Sequence, residues 1–155
     1  MQGDRIKIVC QNRKAKHDYF ISEIHEAGMV LLGTEVKSLR MGRANLTDSY
    51  AKIRKNEVFL YNMHIGPYPF AQHVNHDPLR PRKLLLHRRE IKRLIGKVEE
   101  KGMSLIPIKV YFKNGKAKLS LALSKGKRKY DKREAIRKRD EKRDMNRFYH
   151  RKEKG

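Results

Sequence analysis

Cysteine is nearly absent from this sequence, and long apolar runs are absent altogether. Cys10 is the single cysteine among 155 residues, which excludes an internal disulfide and a cysteine-rich zinc site and favours a reducing compartment. No run approaches the ~20 apolar residues that a membrane-spanning helix needs. Residues 1–20 have no apolar segment after their charges, so we expect no signal peptide. These features predict a soluble, cytoplasmic protein.

Acidic residues are also scarce, and this shortage limits the possible partners. The chain has 39 Lys and Arg against 17 Asp and Glu, a formal net charge of +22. Charge of one sign on this scale repels itself, so the natural partner is a polyanion, either nucleic acid or an acidic membrane surface. The length suits one domain with a hydrophobic core, although hydrophobic residues make up only 38% of the chain.

The first half of the chain has patterns typical of strands and one short helix. Apolar residues in 19–32 predict two strands that turn near Ala27-Gly28. The stretch 33–42 predicts a helix of about two turns that ends at its last glycine. Residues 50–65 predict a hairpin whose turn is Lys55-Asn56.

The second half adds a loop, a longer helix and another hairpin. Residues 65–83 carry four of the five prolines and predict a long loop. The apolar spacing in 83–101 predicts a helix that ends at Gly102, and 104–123 predict a hairpin that turns at Asn114-Gly115. Six strands and a helix that closes one end predict a mainly β fold with flanking helices, an OB-fold-like six-stranded antiparallel barrel.

Charge replaces alternation after Ser124, which predicts an OB-fold-like RNA-binding core at 1–124 and a basic C-terminal tail at 125–155. The tail holds fifteen Lys and Arg and six Asp and Glu, without an apolar stripe that would dock it, so we expect it to be disordered when free. Phosphates favour a helical tail because its cations neutralise them while its own i,i+4 ion pairs support the helix. A solvated tail that raises general RNA affinity is the alternative.

Two groups of cations are candidate RNA contacts. Lys37 and Arg40 lie three residues apart and share one face of the predicted short helix; solvation of that face is the alternative. Arg80, Arg82 and Lys83 crowd the predicted start of the longer helix, where the helix dipole disfavours cations. They therefore contact an anion, which is RNA or a nearby glutamate.

Glu26 is a candidate for base recognition because a carboxylate accepts two hydrogen bonds from the Watson–Crick edge of an unstacked guanine. A surface acid that balances nearby lysines is the alternative. His73, His76 and Asp77 have metal-ligand spacing but lack a third reliable ligand and a second shell. No nucleophile–base pair, P-loop or paired-acid motif is present, so we expect neither an enzyme nor a cofactor.

Five stretches, taken together and in order, carry a family resemblance: "NRKAKHDYFI", "EAGMVLLGTEVKSLRMGRANLTDSYA", "YNMHIGPY", "NHDPLRPRKLLLHRREI" and "LALSKGKRKYDKR". They resemble the small protein B (SmpB) family, the SsrA-RNA-binding proteins of bacterial trans-translation, from about Ile8 to Arg133. The resemblance implies an OB-fold barrel that holds the tRNA-like domain of tmRNA (SsrA RNA). It also implies delivery of that RNA to stalled ribosomes, ribosome rescue and tagging of the incomplete polypeptide for degradation.

The same resemblance implies the partners and the site. The partners are tmRNA, the 16S rRNA of the small ribosomal subunit, and elongation factor Tu through the charged tmRNA; we expect a monomer and no membrane. With the cations above, the predicted tmRNA-binding residues are Asn12, His17, Glu26, Lys37, Arg40, Arg82, Lys83, Leu85 and Lys118. The sequence pattern makes Leu85 a packing residue that shapes this site, and it turns Lys118 away from the apolar side of the last strand.

The tail residues are implied to act on the ribosome, where the tail becomes helical in the decoding centre and the empty mRNA channel. The predicted contacts are Gly126, Lys127, Tyr130, Asp131, Lys132, Arg133, Arg137 and Lys138. The aromatic ring of Tyr130 suits stacking on a decoding-centre base. A ribosomal or structured-RNA-binding protein with the same barrel and no rescue role is the alternative function.

Overall fold

The computed structural model describes residues 3–127 together with Arg139, Lys142, Arg143, Met145 and Asn146. In chain order its elements are β1 (Ile6–Gln11), α1 (Lys14–Asp18), β2 (Tyr19–Met29), α2 (Gly33–Arg40), β3 (Ala44–Asn45), β4 (Tyr50–Arg54), β5 (Glu57–Tyr61), β6 (His64–Ile65), β7 (Arg82–Leu85), α3 (Arg88–Lys101), β8 (Ser104–Lys113) and β9 (Lys116–Gly126).

Six of these strands close into a ring. The large sheet has the order β1-β8-β4-β5-β7-β2-β9, and an additional β8–β9 pairing joins its two sides. Strand β1 lies outside the ring and pairs antiparallel with β8. The two-residue strands β3 and β6 pair with each other separately. The predicted mainly β fold with a six-stranded antiparallel barrel is confirmed.

One predicted hairpin is wrong, because residues 19–29 form a single long strand that does not turn at Ala27-Gly28. Gly28 lies inside β2 opposite Leu85 of β7. A Cβ atom at Gly28 would lie 3.3 Å from the Cβ of Leu85, so glycine serves close approach of two strands here rather than a turn.

The missing strand comes from Arg82–Leu85, which we predicted to begin the longer helix. These residues pair with β5, with Leu60 opposite Arg82 and Val58 opposite Leu84. Burial alternates along β7, and the helix begins only at Arg88. Three successive leucines satisfy a period of two as well as a period of 3.6, so the apolar pattern did not separate strand from helix.

The predicted turns are present where local chemistry is strongest. Both residues of the Lys55-Asn56 and Asn114-Gly115 turns have positive φ, as a type I′ hairpin turn requires. The short helix α2 spans Gly33–Arg40, and α3 ends at Gly102, which has a φ of 60°.

The hydrophobic core lies inside the ring. Buried side chains from all six ring strands meet there, and Leu94 of α3 joins them with no exposed surface. The helix therefore packs its apolar face against the core and leaves most of its charges in solvent.

The chain divides into two compact units, Met1–Lys125 and Gly126–Gly155. Strand β9 extends to Gly126, two residues beyond the predicted boundary at Ser124. In the second unit the described residues Arg139, Lys142, Arg143, Met145 and Asn146 are helical and exposed. No helix in the described part of the chain is long and apolar enough to cross a membrane.

Candidate nucleic-acid interface

Glu26 lies at the centre of a small polar cluster on the outside of the barrel. It is exposed on β2, and the hydroxyl of Tyr111 donates a hydrogen bond to its Oε2 at 2.5 Å. The Nζ of Lys113 lies 3.4 Å from Oε1 and 3.5 Å from Oε2. The carboxylate is therefore held from the side of β8 while part of it stays open to solvent.

The electrostatics of this cluster keep Glu26 ionised. The hydrogen bond from Tyr111 is the main cause that lowers the pKa of Glu26; partial burial opposes it, and Lys113 and Lys118 lower it further. Burial and the contact with Glu26 raise the pKa of Tyr111 to about 12, so its phenol remains a donor. Lys118 is the direct cross-strand neighbour of Tyr111, which unites the two predicted residues Glu26 and Lys118 in one place.

Leu85 is not a packing residue, contrary to the sequence pattern. Its side chain is 51% exposed and lies against Gly28, two residues from Glu26 on the same strand. Phe20 and Ile24 are also exposed on the Glu26 face of β2. These exposed apolar side chains flank the carboxylate along the strand, and together they form an apolar strip on a surface where bases could be accommodated.

Asn12 and His17 lie beyond the other end of β2 and do not join the Glu26 cluster. Asn12 is half-buried, its Nδ2 donates to the carbonyl of Pro107 at 3.1 Å, and its N–H donates to Ile108. These two hydrogen bonds hold Asn12 against β8 at the register shift between Pro107 and Lys109. His17 is exposed in α1, with Nδ1 3.0 Å from Asp18 Oδ1. From Tyr19, at the start of β2, Glu26 is seven residues along the strand, roughly 23 Å of contour.

Lys37 and Arg40 both project from the exposed side of α2, and each lies over an aromatic ring. The Nζ of Lys37 is 5.4 Å from the ring centroid of Tyr68, and the Cζ of Arg40 is 4.8 Å from that of Phe112. These distances are typical of cation–π contacts. The rings orient both cations while leaving them accessible to an anion.

Arg82 is buried, so the prediction that it contacts RNA directly is wrong. Arg82 and Glu35 are each 0% exposed, and Arg82 Nε donates to Glu35 Oε2 at 2.6 Å. Arg80 Nη2 donates to Glu35 Oε1 at 2.5 Å. Of the two anions that the sequence left open, the nearby glutamate is the one that Arg80 and Arg82 contact. A charge buried this way is tolerated because it is paired and hydrogen-bonded.

The remaining polar groups of Arg82 complete the same buried network. Its guanidinium also donates to the carbonyls of Met63 and Pro78, which ties β7 to the loop before it and to the segment after β5. Lys83, the next residue, points outward and its Nζ lies 3.0 Å from Glu57 Oε1. Lys83 therefore remains available to a phosphate through an exposed, exchangeable ion pair.

In the loop that carries His73, His76 and Asp77, where a metal site was considered, His76 makes structural hydrogen bonds. His76 is buried; its Nε2 lies 2.9 Å from the carbonyl oxygen of Ile65 and its Nδ1 2.9 Å from Thr34 Oγ1. Both ring nitrogens are therefore occupied. Across residues 3–127 and the five described tail residues, no group of three His, Cys, Asp or Glu is arranged to hold a metal ion.

The tail predictions mostly fall outside the described residues. Gly126 ends β9 and Lys127 follows it. The other predicted ribosome contacts, which lie outside the described residues, are Tyr130, Asp131, Lys132, Arg133, Arg137 and Lys138.

Sequence reasoning missed Tyr111, Lys113, Phe20 and Ile24. Tyr111 is 85 positions from Glu26 in the chain, so only strand pairing brings them together. Phe20 and Ile24 had a local signal, because apolar residues occupy both faces of β2 and one face of a strand must then be exposed or covered.

A closed six-stranded barrel with a large positive charge, exposed cations over aromatic rings and an apolar strip beside a fixed carboxylate defines the class: an OB-type nucleic-acid-binding protein. The family model described as "SmpB protein" matches residues 9–151. The chain therefore belongs to the SmpB family.

Individual relatives agree with this assignment. The chain is 60% identical over 139 residues to an SsrA-binding protein of Geobacter metallireducens, covering 90% of this chain and 91% of the relative. It is 57% identical over 149 residues to the SsrA-binding protein of Bacillus subtilis, covering 96% of each.

A solved chain from "tmRNA-SmpB: a journey to the center of the bacterial ribosome" has a TM-score of 0.66 and 50% identity, covering 83% of this chain and 94% of that one.

Proposed function

We propose that this protein binds tmRNA through its tRNA-like domain and acts in trans-translation on stalled ribosomes. Its family and the SsrA-binding relatives support this function, as does its similarity to an SmpB chain studied with tmRNA and the ribosome. The observation that carries the proposal is the ionised Glu26, held by Tyr111 among lysines on an exposed face.

The chemistry of Glu26 suits a guanine rather than a phosphate. A carboxylate accepts from the N1–H and N2–H groups of an unstacked guanine, and it repels phosphate. Lys113 and Lys118 offset that repulsion for the flanking backbone. Leu85, which lies against Gly28, and Ile24, two residues before Glu26, supply apolar contact for a base plane on either side of the carboxylate along β2.

The other site residues have separate tasks in this proposal. Exposed His17 contacts the RNA beyond the far end of β2, whereas half-buried Asn12 acts by fixing the backbone there. Lys37, Arg40 and Lys83 neutralise phosphates. Arg82 acts indirectly, because its network with Glu35 shapes the surface.

The tail acts on the ribosome in the same proposal. Residues 125–155 enter the decoding centre and the empty mRNA channel and become helical there, while elongation factor Tu joins through the charged tmRNA. Residues 1–124 form the RNA-binding core. The protein is a cytoplasmic monomer without enzymatic activity, and its contribution is recognition and placement.

The substitution Glu26→Gln tests the RNA site because it separates recognition from general attraction. It makes the protein more positive, so a general RNA binder would bind more tightly. A guanine-reading carboxylate would instead lose about 5- to 100-fold in affinity for a tRNA-like tmRNA fragment. The assay is titration at near-physiological salt with excess ordinary tRNA, and the control is Glu100→Gln at an exposed position of α3. Unchanged or tighter binding by the Glu26 variant would contradict the site.

A chain that ends at Ser124 tests the division of labour between core and tail. We expect it to bind the tmRNA fragment about as well as the full chain and to fail in rescue of stalled ribosomes in a reconstituted translation reaction. If truncation abolishes fragment binding, or if ordinary tRNA competes equally, the alternative of a general structured-RNA-binding protein gains support.

A further inference from the structure

The loop between β6 and β7, residues 66–81, exposes apolar side chains that the Glu26 site does not use. Phe70 is 70% exposed and Val74 is 87% exposed. Burial of a phenylalanine side chain normally stabilises a fold, so the exposed Phe70 contributes little to the stability of this one.

The loop holds these side chains out by specific contacts. The Oδ1 of Asn75 accepts the N–H of Tyr68 at 3.1 Å, and its Nδ2 donates to the Tyr68 carbonyl at 2.9 Å. His76 anchors the next position to Thr34 and Ile65. Prolines on both sides of Tyr68 restrict the backbone further. Phe70 is therefore presented on an ordered loop.

Phe70 belongs to a small aromatic and cationic cluster. Its ring centroid is 5.6 Å from that of Tyr68 with an interplanar angle of 71°, an edge-to-face pair. Lys37 lies over the Tyr68 ring. Tyr68 thus supports Phe70 from behind, while the exposure of Phe70 leaves most of its surface open.

The surrounding charge selects the kind of partner. Asp77 is the single acidic residue in 64–81, and its Oδ1 accepts the N–H of Leu79. Lys37 and Arg43 lie beside the loop; Arg43 Nε is 3.1 Å from the position that a Cβ of Gly66 would occupy. An aromatic ring among cations suits a base attached to its phosphate.

We propose that Phe70, supported by Tyr68 and Lys37, is a stacking platform for one unpaired nucleotide of RNA. It is a second contact, since the loop and the Glu26 cluster share no residue. The inference rests on the proposed function in taking RNA as the partner, and it shares Lys37 with the phosphate contacts proposed above. The nucleotide comes either from tmRNA or from ribosomal RNA, and the test has one arm for each source.

The chain contains no tryptophan, so Phe70→Trp introduces a single tryptophan at the platform, and wild type titrated in parallel gives the background from tyrosine and from ribosomal proteins. Stacking on a base quenches indole emission. The matched control is Leu79→Trp, in the same loop at a position that is 52% exposed. Each variant is titrated with the tRNA-like tmRNA fragment in one arm and with mRNA-free ribosomes in the other. We expect quenching of the Phe70→Trp variant in one arm and much weaker quenching of the Leu79→Trp variant.

A second variant links the signal to affinity. Phe70→Ala should weaken binding in the quenching arm by about 5- to 100-fold, whereas Val74→Ala should leave it within about twofold because Val74 offers no ring for stacking. Phe70→Trp should retain affinity. Melting midpoints within the error of wild type show that the loss is not unfolding.

Either arm decides the proposal. Quenching with the fragment assigns the nucleotide to tmRNA, and quenching with ribosomes assigns it to ribosomal RNA. Unchanged emission in both arms while RNA is bound, or equal losses for the Phe70 and Val74 alanine variants, would overturn the platform. Failure of wild type to prefer the tmRNA fragment over tRNA would refute the proposed function separately, without affecting quenching on ribosomes.

Discussion

The buried network of Glu35, Arg80 and Arg82 makes the substitution Glu35→Gln a demanding test of what stabilises the barrel. Glutamine keeps the shape of the side chain and the acceptor for the Leu32 N–H, which Glu35 Oε1 binds at 2.8 Å. It removes the negative charge. Arg82, which is 0% exposed, then remains charged in the core without its counterion.

The expected magnitude follows from that geometry. Breaking a buried ion pair by removing one partner costs about 3–5 kcal/mol, because the other charge is left without compensation. Arg80 contributes less, since it is partly exposed and water screens it. For a core of this size, such a loss lowers the melting midpoint by about 10–20 °C.

The assay is thermal and urea unfolding at pH 7, followed by far-ultraviolet circular dichroism, with Arg82→Met and the double variant as controls. The double variant has no unpaired guanidinium in the core, because only the partly exposed Arg80 has lost its carboxylate partner. Its loss should therefore be smaller than the sum of the single losses by about 1 kcal/mol or more. A Glu35→Gln loss below about 1 kcal/mol, or strict additivity, would refute the assignment of Arg82 as a buried charge that depends on Glu35.

The pH dependence gives an independent check. Burial alone raises the pKa of Glu35, but hydrogen bonds from Arg80, the Leu32 N–H and Arg82 outweigh it, so the net pKa lies below the ordinary 4.5. A lowered folded-state pKa stabilises the protein above the unfolded value and loses that stabilisation as the pH falls through the folded value. The stability difference between wild type and Glu35→Gln should therefore shrink below pH 4.5.

Three further outcomes are expected. Burial raises the pKa of Cys10 to about 11, although a hydrogen bond from the backbone of Val110 opposes this rise. At pH 8 only about 0.1% of the Cys10 thiol is thiolate, against about a quarter of an ordinary thiol. Cys10 should therefore react with Ellman's reagent far more slowly in the folded protein than in denaturant. Gly115 has a φ of 81°, so Gly115→Val should cost about 1–2 kcal/mol in urea unfolding, whereas the control Gly96→Ala inside α3 should stabilise by about 0.5–1 kcal/mol. Tyr111→Phe should raise the pKa of Glu26 in a carbon-13 titration, because it removes the hydrogen bond that lowers this pKa, and it should weaken binding of the tmRNA fragment. If the pKa of Glu26 rises as expected while the affinity is unchanged, Tyr111 does not position the carboxylate for binding.

Features that depend on neighbouring residues were predictable. The turns at Lys55-Asn56 and Asn114-Gly115 and the stop at Gly102 follow from backbone preferences that act within a few residues. The net charge of +22 identified a polyanionic partner because charge acts regardless of how the chain folds. The ordered motifs likewise identified the family from the sequence alone, because recognising them requires no knowledge of tertiary contacts.

Local pattern failed where two structures satisfy the same residues. The apolar run that ends at Leu86 fits a helix and a strand equally, and β5 supplies the pairing that decides between them. Gly28 reads as a turn residue, yet the close approach of Leu85 keeps β2 straight through it. In both cases the deciding neighbour lies tens of residues away along the chain, outside any local window.

The sequence by itself determined the charge, the tight turns and the choice of a small barrel for a polyanion, since these depend on composition and on short-range backbone chemistry. Tertiary structure alone decided which charged groups face the partner. Arg82 and Lys83 are adjacent in sequence, but one pairs with Glu35 in the core and the other with Glu57 on the surface. That separation is a property of strand pairing, because successive side chains of a strand point to opposite faces and only the pairing register says which face is buried.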